Sequence, residues 1–277
     1  MITKEQIQAS NAINQSAKQW AIENIVYLNK PMRFFGTSMK VEKGAAKFDT
    51  YIMYLQPAGK VSVKTLCAGA IAGGCEPACL ISSGQLGMSV GQRAATKRTI
   101  LMLLDPIGFH AAILSEVDKA ERKAIKTGIP ALFRLNGTSD TDFSAIIAQR
   151  PNSQFYDYTK ILSRVRKNTL ENYDLTFSGS MYSAQSKIAL SKAVIRGYRI
   201  AVAFNSKGIK SDTLAMPAGL VSFDATDLRH LDSKGIVGTL TRKGSSKLVR
   251  EFENTKSASF FITKANVSEF NNIIARG

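Results

Sequence analysis

From about residue 106 onward, short apolar runs of strand character alternate with segments of helical spacing, and that rhythm narrows the available folds more than any other property of the chain. The stretch FHAAILSEVDKAERKAIKTG carries Phe109, Ile113, Val117, Ala120 and Ala124 three or four residues apart, then Gly128 and Pro130 as stop signals, which predicts one amphipathic helix. ALFRLN then reads as a strand, DFSAIIAQR as a short helix closed by Pro151, QFYDYT as a strand, KILSRVRKNTLEN as a helix and DLTFSGS as a strand. Ser180 is placed to cap a helix over SAQSKIALSKAVIRG, with Ile188, Ala189 and Val194 facing inward and Gly197 as its terminator. YRIAVAFN, LVSFDA and GIVGTLT supply three further strands. Strand and helix in alternation with short connections imply a parallel sheet covered by helices. Six such strands fit an α/β fold of complete or partial (β/α) barrel type better than a small nucleotide-binding sheet.

Residues 1–60 read differently, as an N-terminal helix over about residues 4–24 followed by a β-rich extension, AAKFDTYIMYLQPAG, with Phe48 to Leu55 as strand and Pro57 to Gly59 as turn. No Ser/Gly-rich linker sets this part off, so it is expected to pack on the α/β domain of residues 61–277.

Every expected strand of the α/β part ends in polar groups: Asn136 to Asp140, Asp157 to Lys160, Ser178 to Ser180, Asn205, Asp224 to Asp227, and Arg242 with Lys243. Ligand sites in such folds lie at the carboxyl ends of parallel strands, so these residues are expected to converge on one face. Asp140 and Asp157 are the acid, base or nucleophile candidates, with Asn136 and Lys160 beside them. Asp140 equally suits an N-cap of DFSAIIAQR, and Lys160 suits a phosphate contact, a carboxylate pair or a solvated helix start. Ser178, Ser180 and Asn205 are the expected cofactor-binding groups.

The chain's three cysteines, Cys67, Cys75 and Cys79, fall inside thirteen residues of the Gly- and Ala-rich run TLCAGAIAGGCEPACLISSG. Thiolates clustered on so adaptable a backbone suit a metal or iron–sulfur centre; the competing reading is three reduced thiols packed as small hydrophobes. A structural zinc needs a fourth ligand, and His110, thirty-one residues beyond Cys79, sits beside the inward-facing Phe109 instead. Three cysteines on a 4Fe–4S cluster leave one iron open to a small molecule, so that cluster is the expected cofactor and zinc the alternative. The spacing is not the CxxxCxxC of radical S-adenosylmethionine enzymes.

Charge adds a partner class. Lys and Arg number 37 against 21 acidic residues, a formal +16, which favours a polyanion through long-range attraction and counterion release. The densest basic stretches hold Arg93, Lys97 and Arg98, then Arg164, Arg166 and Lys167, then Arg242 and Lys243, and these are the expected nucleic-acid contacts; the alternative is charge spread over solvated helix faces. The first segment lacks a signal peptide's apolar core, no apolar run approaches the roughly 18 residues of a membrane span, and unpaired cysteines fit a reducing cytoplasm. Phosphate-loop, dinucleotide, HExxH and CxxC motifs are absent, and Gly84, Gly87 and Gly91 read as loop glycines.

Four blocks give the chain a likeness: Ala58 to Cys79 with its three cysteines, RLNGTSD (Arg134 to Asp140), QFYDYTK (Gln154 to Lys160) and LTFSGS (Leu175 to Ser180), with a weaker fifth in DATDLRHLD (Asp224 to Asp232) and the GIVGTLTRKG after it. In these the sequence resembles the gene-product-eighty-eight-like proteins of bacteriophages. The resemblance implies an iron–sulfur or metal-binding cysteine segment on a barrel-like α/β fold, working in the cytoplasm of an infected bacterium. Phage barrel enzymes that exchange guanine for 7-deazaguanine bases are similar only in broad outline, since here the cysteines precede the strands. Two classes of function follow as expectations: an enzyme acting on nucleic acid or nucleobases, with DNA base modification favoured, or a non-catalytic cysteine–metal protein that binds nucleic acid or a host protein.

Overall fold

The structure is a computed structural model that describes residues 1–36, 47–76, 79, 84–205, 220–241 and 260–276. Among the described residues it is a mixed α/β fold with eight strands, mostly parallel, in an open sheet, so of the two barrel expectations the incomplete form holds. The chain divides into two compact units: Met1–Ser38, Ala45–Ala68 and Ile81–Phe155 in one; Met39–Gly44, Gly69–Leu80 and Tyr156–Gly277 in the other. Among the described residues no helix is long and apolar enough to cross a membrane.

In the first unit, β1 (Phe35–Gly36) pairs antiparallel with β2 (Asp49–Met53), which runs parallel to β3 (Ala131–Arg134), and β3 runs parallel to the start of β4 (Gln154–Thr159). The register sets Tyr51 opposite Phe133 and Phe133 opposite Phe155, so their rings pack in sequence at 5.5 and 5.2 Å between centroids; such cross-strand aromatic pairs reinforce the ladder. The helix Pro106–Thr127 follows its sequence signals closely. Asp105 accepts the Gly108 N–H as N-cap, Gly128 ends it in the left-handed region (φ 71°), and Phe109, Ile113, Val117 and Ala120 are its buried stripe.

Two departures stand out. The single N-terminal helix is broken into Lys4–Ala9 and Gln15–Glu23, followed by Ile25–Asn29, because Thr3 and Asn14 each cap a new start. The helix Ser89–Leu104 has no counterpart in the sequence reading; it buries Lys97 and Thr99 beside Ala95 and Ile100, so its inner face carries no apolar period.

In the second unit the order is β4, β5 (Tyr173–Ser178), β6 (Ile200–Phe204), then β8 (Val237–Thr241) inside an edge strand β7 (Leu220–Ser222), with β5 and β8 both parallel to β6 and β7 parallel to β8. Phe177, Met181, Leu190, Ala193, Val202, Phe270 and Ile273 form its core. The helix packed there is Ala184–Ile195, capped by Ser183 and Ser186 in a reciprocal box rather than by Ser180. Its phase follows that later start: Leu190 and Ala193 are buried, Ala189 and Val194 border the core, and Ile188, expected inside, points to solvent. The helix Val267–Ile274, which buries Phe270, Ile273 and Ile274, also went unread in the sequence.

Candidate functional site

β4 carries the densest chemistry of the second unit. Side chains alternate along a strand: Tyr156 and Tyr158 share one side and Asp157 takes the other. Both tyrosine hydroxyls donate to one carboxylate, Tyr156 Oη to Asp227 Oδ2 at 3.0 Å and Tyr158 Oη to Asp227 Oδ1 at 3.2 Å. Asp157 is buried and accepts from Tyr173 Oη at 3.1 Å, and that oxygen accepts from Arg164 Nη2 at 3.3 Å.

Just past the end of β4, Lys160 turns its ammonium to the end of β5, donating to the Ser178 carbonyl at 3.3 Å and to Ser178 Oγ at 3.2 Å, while lying 4.7 Å over the Phe260 ring. Its aliphatic stem runs along two glycines of the cysteine segment. A Cβ at Gly69 would stand 2.5 Å from Lys160 Cβ, and one at Gly73 2.8 Å from Lys160 Cδ, so the lysine can lie here only because both positions lack side chains. The short helical turn Ala70–Gly73 is then fixed by hydroxyls: Ser180 Oγ donates to the Gly73 carbonyl and Ser183 Oγ to the Ala72 carbonyl, each at 2.7 Å. Those are the orphan acceptors at a helix end. Gly74 follows in the left-handed region (φ 67°) against the Tyr182 ring, and Cys75 comes next, its N–H on the Ala70 carbonyl at 3.3 Å. Lys160, Ser178 and Ser180 thus meet at the carboxyl ends of β4 and β5, with the Cys75-bearing turn laid on them. Asn205, after β6, donates its N–H to the Ile262 carbonyl at 3.0 Å.

In the first unit, the loop after β3 is organised by Asn136. Buried, it donates from Nδ2 to the Thr141 carbonyl at 3.0 Å and accepts at Oδ1 from Ser139 Oγ at 2.8 Å and from the Thr141 N–H at 2.9 Å. Its amide therefore serves the loop. Thr138 Oγ1 donates to the Leu55 carbonyl at 2.6 Å, the Asp140 N–H to the Leu66 carbonyl at 2.8 Å, and Cys67 Sγ lies 3.7 Å from the Thr138 carbonyl. Asp140 is half-buried and does not cap the next helix; Asp142 Oδ1 accepts the Ser144 N–H at its start. All three cysteines are reduced and half-buried. Among the described residues no three His, Cys, Asp or Glu side chains are grouped so as to hold a metal ion.

The basic residues separate by environment. Lys97, expected at a nucleic-acid surface, is instead fully buried, its ammonium donating to the Tyr27 carbonyl at 2.6 Å and the Lys30 carbonyl at 2.5 Å, where it closes the helix Ile25–Asn29. Burial, with the Lys30 charge behind it, pushes its pKa down. Arg98 Nη2 donates to the Arg33 carbonyl at 3.0 Å, and Arg93, exposed, reaches Asn24 Oδ1 at 2.9 Å across the Tyr27 ring. On the helix Leu162–Lys167, Arg166 and Lys167 are exposed while Arg164 is turned to Tyr173. Arg242 and Lys243 lie outside the described residues.

Asp227 entered the sequence reading only as one of the polar strand tips Asp224 to Asp227, and His230 only within DATDLRHLD; neither was singled out as a catalytic or binding residue. The ring of His230 lies 6.3 Å from that of Tyr156, and burial pushes its pKa below the ordinary 6.5; Asp174 and Asp232 pull it up, Arg199 down. A folded state that binds this proton less readily than the unfolded chain has its full stability above that value and loses it as pH falls below. The urea midpoint is therefore expected to drop between pH of about 7 and about 5, and His230→Gln to flatten that drop. An equal drop in the variant would assign it to other groups.

Residues 32–264 match the family model described as Gene product 88. No curated protein and no solved structure matches the chain.

Proposed function

The chain belongs to the Gene product 88 family, and on that premise we propose that it is an enzyme acting on nucleic acid or nucleobases, with DNA base modification as the favoured reaction and the Lys160 site at the ends of β4 and β5 as its centre. One observation carries the reading: an ammonium held at the carboxyl ends of two sheet strands by Ser178, with its stem seated on Gly69 and Gly73. An oriented cation at that place in an α/β fold suits a phosphate. Arg166 and Lys167, exposed on the helix that starts two residues later, extend the same positive charge, and the formal +16 of the chain supports a polyanionic partner. Asp157, buried and accepting from Tyr173 Oη at 3.1 Å, is assigned a positioning role. Asp140, on a strand-end loop of the first unit, is a proposed proton-transfer group.

The three thiols are proposed as ligands of a 4Fe–4S cluster, or of zinc. The described residues hold no three-ligand group, so no step is routed through a metal. Anaerobically prepared protein decides the matter by metal analysis: iron in a brown preparation indicates a cluster, zinc without colour a structural site.

Binding to a single-stranded DNA oligonucleotide across a salt series tests the partner. Contact through Lys160, Arg166 and Lys167 gives a log–log slope of about −2. Salt-independent binding, or none, contradicts the reading. Mass spectrometry of nucleosides from DNA of cells expressing the protein separates the two classes: an altered nucleoside supports the enzyme, and binding with unaltered nucleosides supports the non-catalytic nucleic-acid or host-protein binder.

A further inference from the structure

Resting on the reading above, we propose that Tyr158 is a catalytic residue of this site and that Asp227 positions it and receives its proton. Only a carboxylate offers two acceptor oxygens on one short side chain, and Asp227 uses one for each phenol, at 3.0 Å to Tyr156 and 3.2 Å to Tyr158. The two tyrosines are not equivalent. Tyr156 is fully buried, whereas Tyr158 is half-buried and stands two residues before Lys160.

Asp227 is fixed from its own side. Its carbonyl accepts the Arg229 N–H at 2.9 Å, and Arg229 in turn donates to the Thr226 carbonyl at 2.7 Å and lies 3.8 Å over the Phe223 ring. Burying a carboxylate with two hydroxyls costs free energy that apolar side chains of the same size would not. A cluster built only to fill space would not need it.

The step this geometry suits is a proton relay. Tyr158 Oη takes the proton of a nucleotide O–H or N–H as its own hydroxyl proton passes to Asp227 Oδ1. One substrate–hydrogen bond breaks, one O–H bond forms on Asp227, the phenol is regenerated, and the electron pair stays on the substrate, whose phosphate Lys160 holds. Asp227 returns the proton by the same path when the product needs it.

Tyr158→Phe and Tyr156→Phe, each lacking one oxygen, test the inference against the wild type by three readouts: the urea midpoint, affinity for a single-stranded DNA oligonucleotide, and the yield of altered nucleoside in DNA from expressing cells. Tyr158→Phe is expected to keep midpoint and affinity and to lose about 100-fold in yield. Tyr156→Phe, which removes the more deeply buried hydrogen bond to the same carboxylate, is expected to keep most of the yield. A purely structural cluster reverses that order and moves the midpoint with the yield, which overturns the inference. Full yield from Tyr158→Phe overturns it while leaving the proposed function standing; a wild type that alters no nucleoside removes both.

Discussion

Arg229→Ala is expected to lower the unfolding free energy by roughly 3–5 kcal/mol, the largest stability loss of any single change considered for this chain. The side chain is only 2% exposed and works on three neighbours at once. Its guanidinium pairs with Asp232 at 2.9 Å, donates to the Thr226 carbonyl at 2.7 Å, and lies 3.8 Å over the Phe223 ring. Gly238 also abuts that ring, where any Cβ would run into Phe223, so the ring packs against both a cation and a bare backbone. Truncation leaves a cavity, an acceptor without this donor and an aspartate without this cation, and each adds to the loss. Urea unfolding of the full chain measures it. Arg229→Lys recovers only part, because an ammonium cannot stack flat on a ring while forking to two acceptors. A loss below about 1 kcal/mol would mean that Arg229 contributes no more than an ordinary surface residue.

The largest effect on nucleic-acid binding is expected from Lys160→Met. Methionine keeps the length and apolar stem that pack on Gly69 and Gly73 but removes the charge. Stability should therefore change little, while oligonucleotide affinity falls about tenfold and the salt slope loses about one unit of phosphate contact. Lys160→Arg is not a safe substitute, since its wider planar head would have to fit between Ser178 and the Phe260 ring. Lys97→Met is the informative contrast: that lysine is buried against the Tyr27 and Lys30 carbonyls, so its loss should appear in stability and leave the salt slope unchanged.

How far the sequence revealed these features depends on what encodes them. The helix Pro106–Thr127 was legible because its cap, its stripe and its terminator are local and agree with one another. The strands ALFR, QFYDYT and IAVAF were legible as apolar blocks between polar tips, and so was the gathering of Lys160, Ser178 and Ser180 at one end of the second unit's strands. Ser89–Leu104 was not, because its inward face includes a lysine and a threonine whose partners come from elsewhere in the chain. Ser180 looked like a cap because a serine before a helical run does; Ser183 sits closer to the first turn, leaving Ser180 to hold Gly73. The joining of Tyr156 and Tyr158 to Asp227 spans about seventy residues of sequence, and no local pattern announces it.

Whether the second unit's strand ends form a nucleic-acid-directed centre is settled most directly by one comparison: oligonucleotide affinity across a salt series for the wild type and Lys160→Met, at matched folded stability. The account predicts salt-sensitive binding by the wild type, with both affinity and slope reduced in the variant. Indistinguishable curves for the two proteins would show that the Lys160 ammonium faces no phosphate, and the proposed centre would have to be given up.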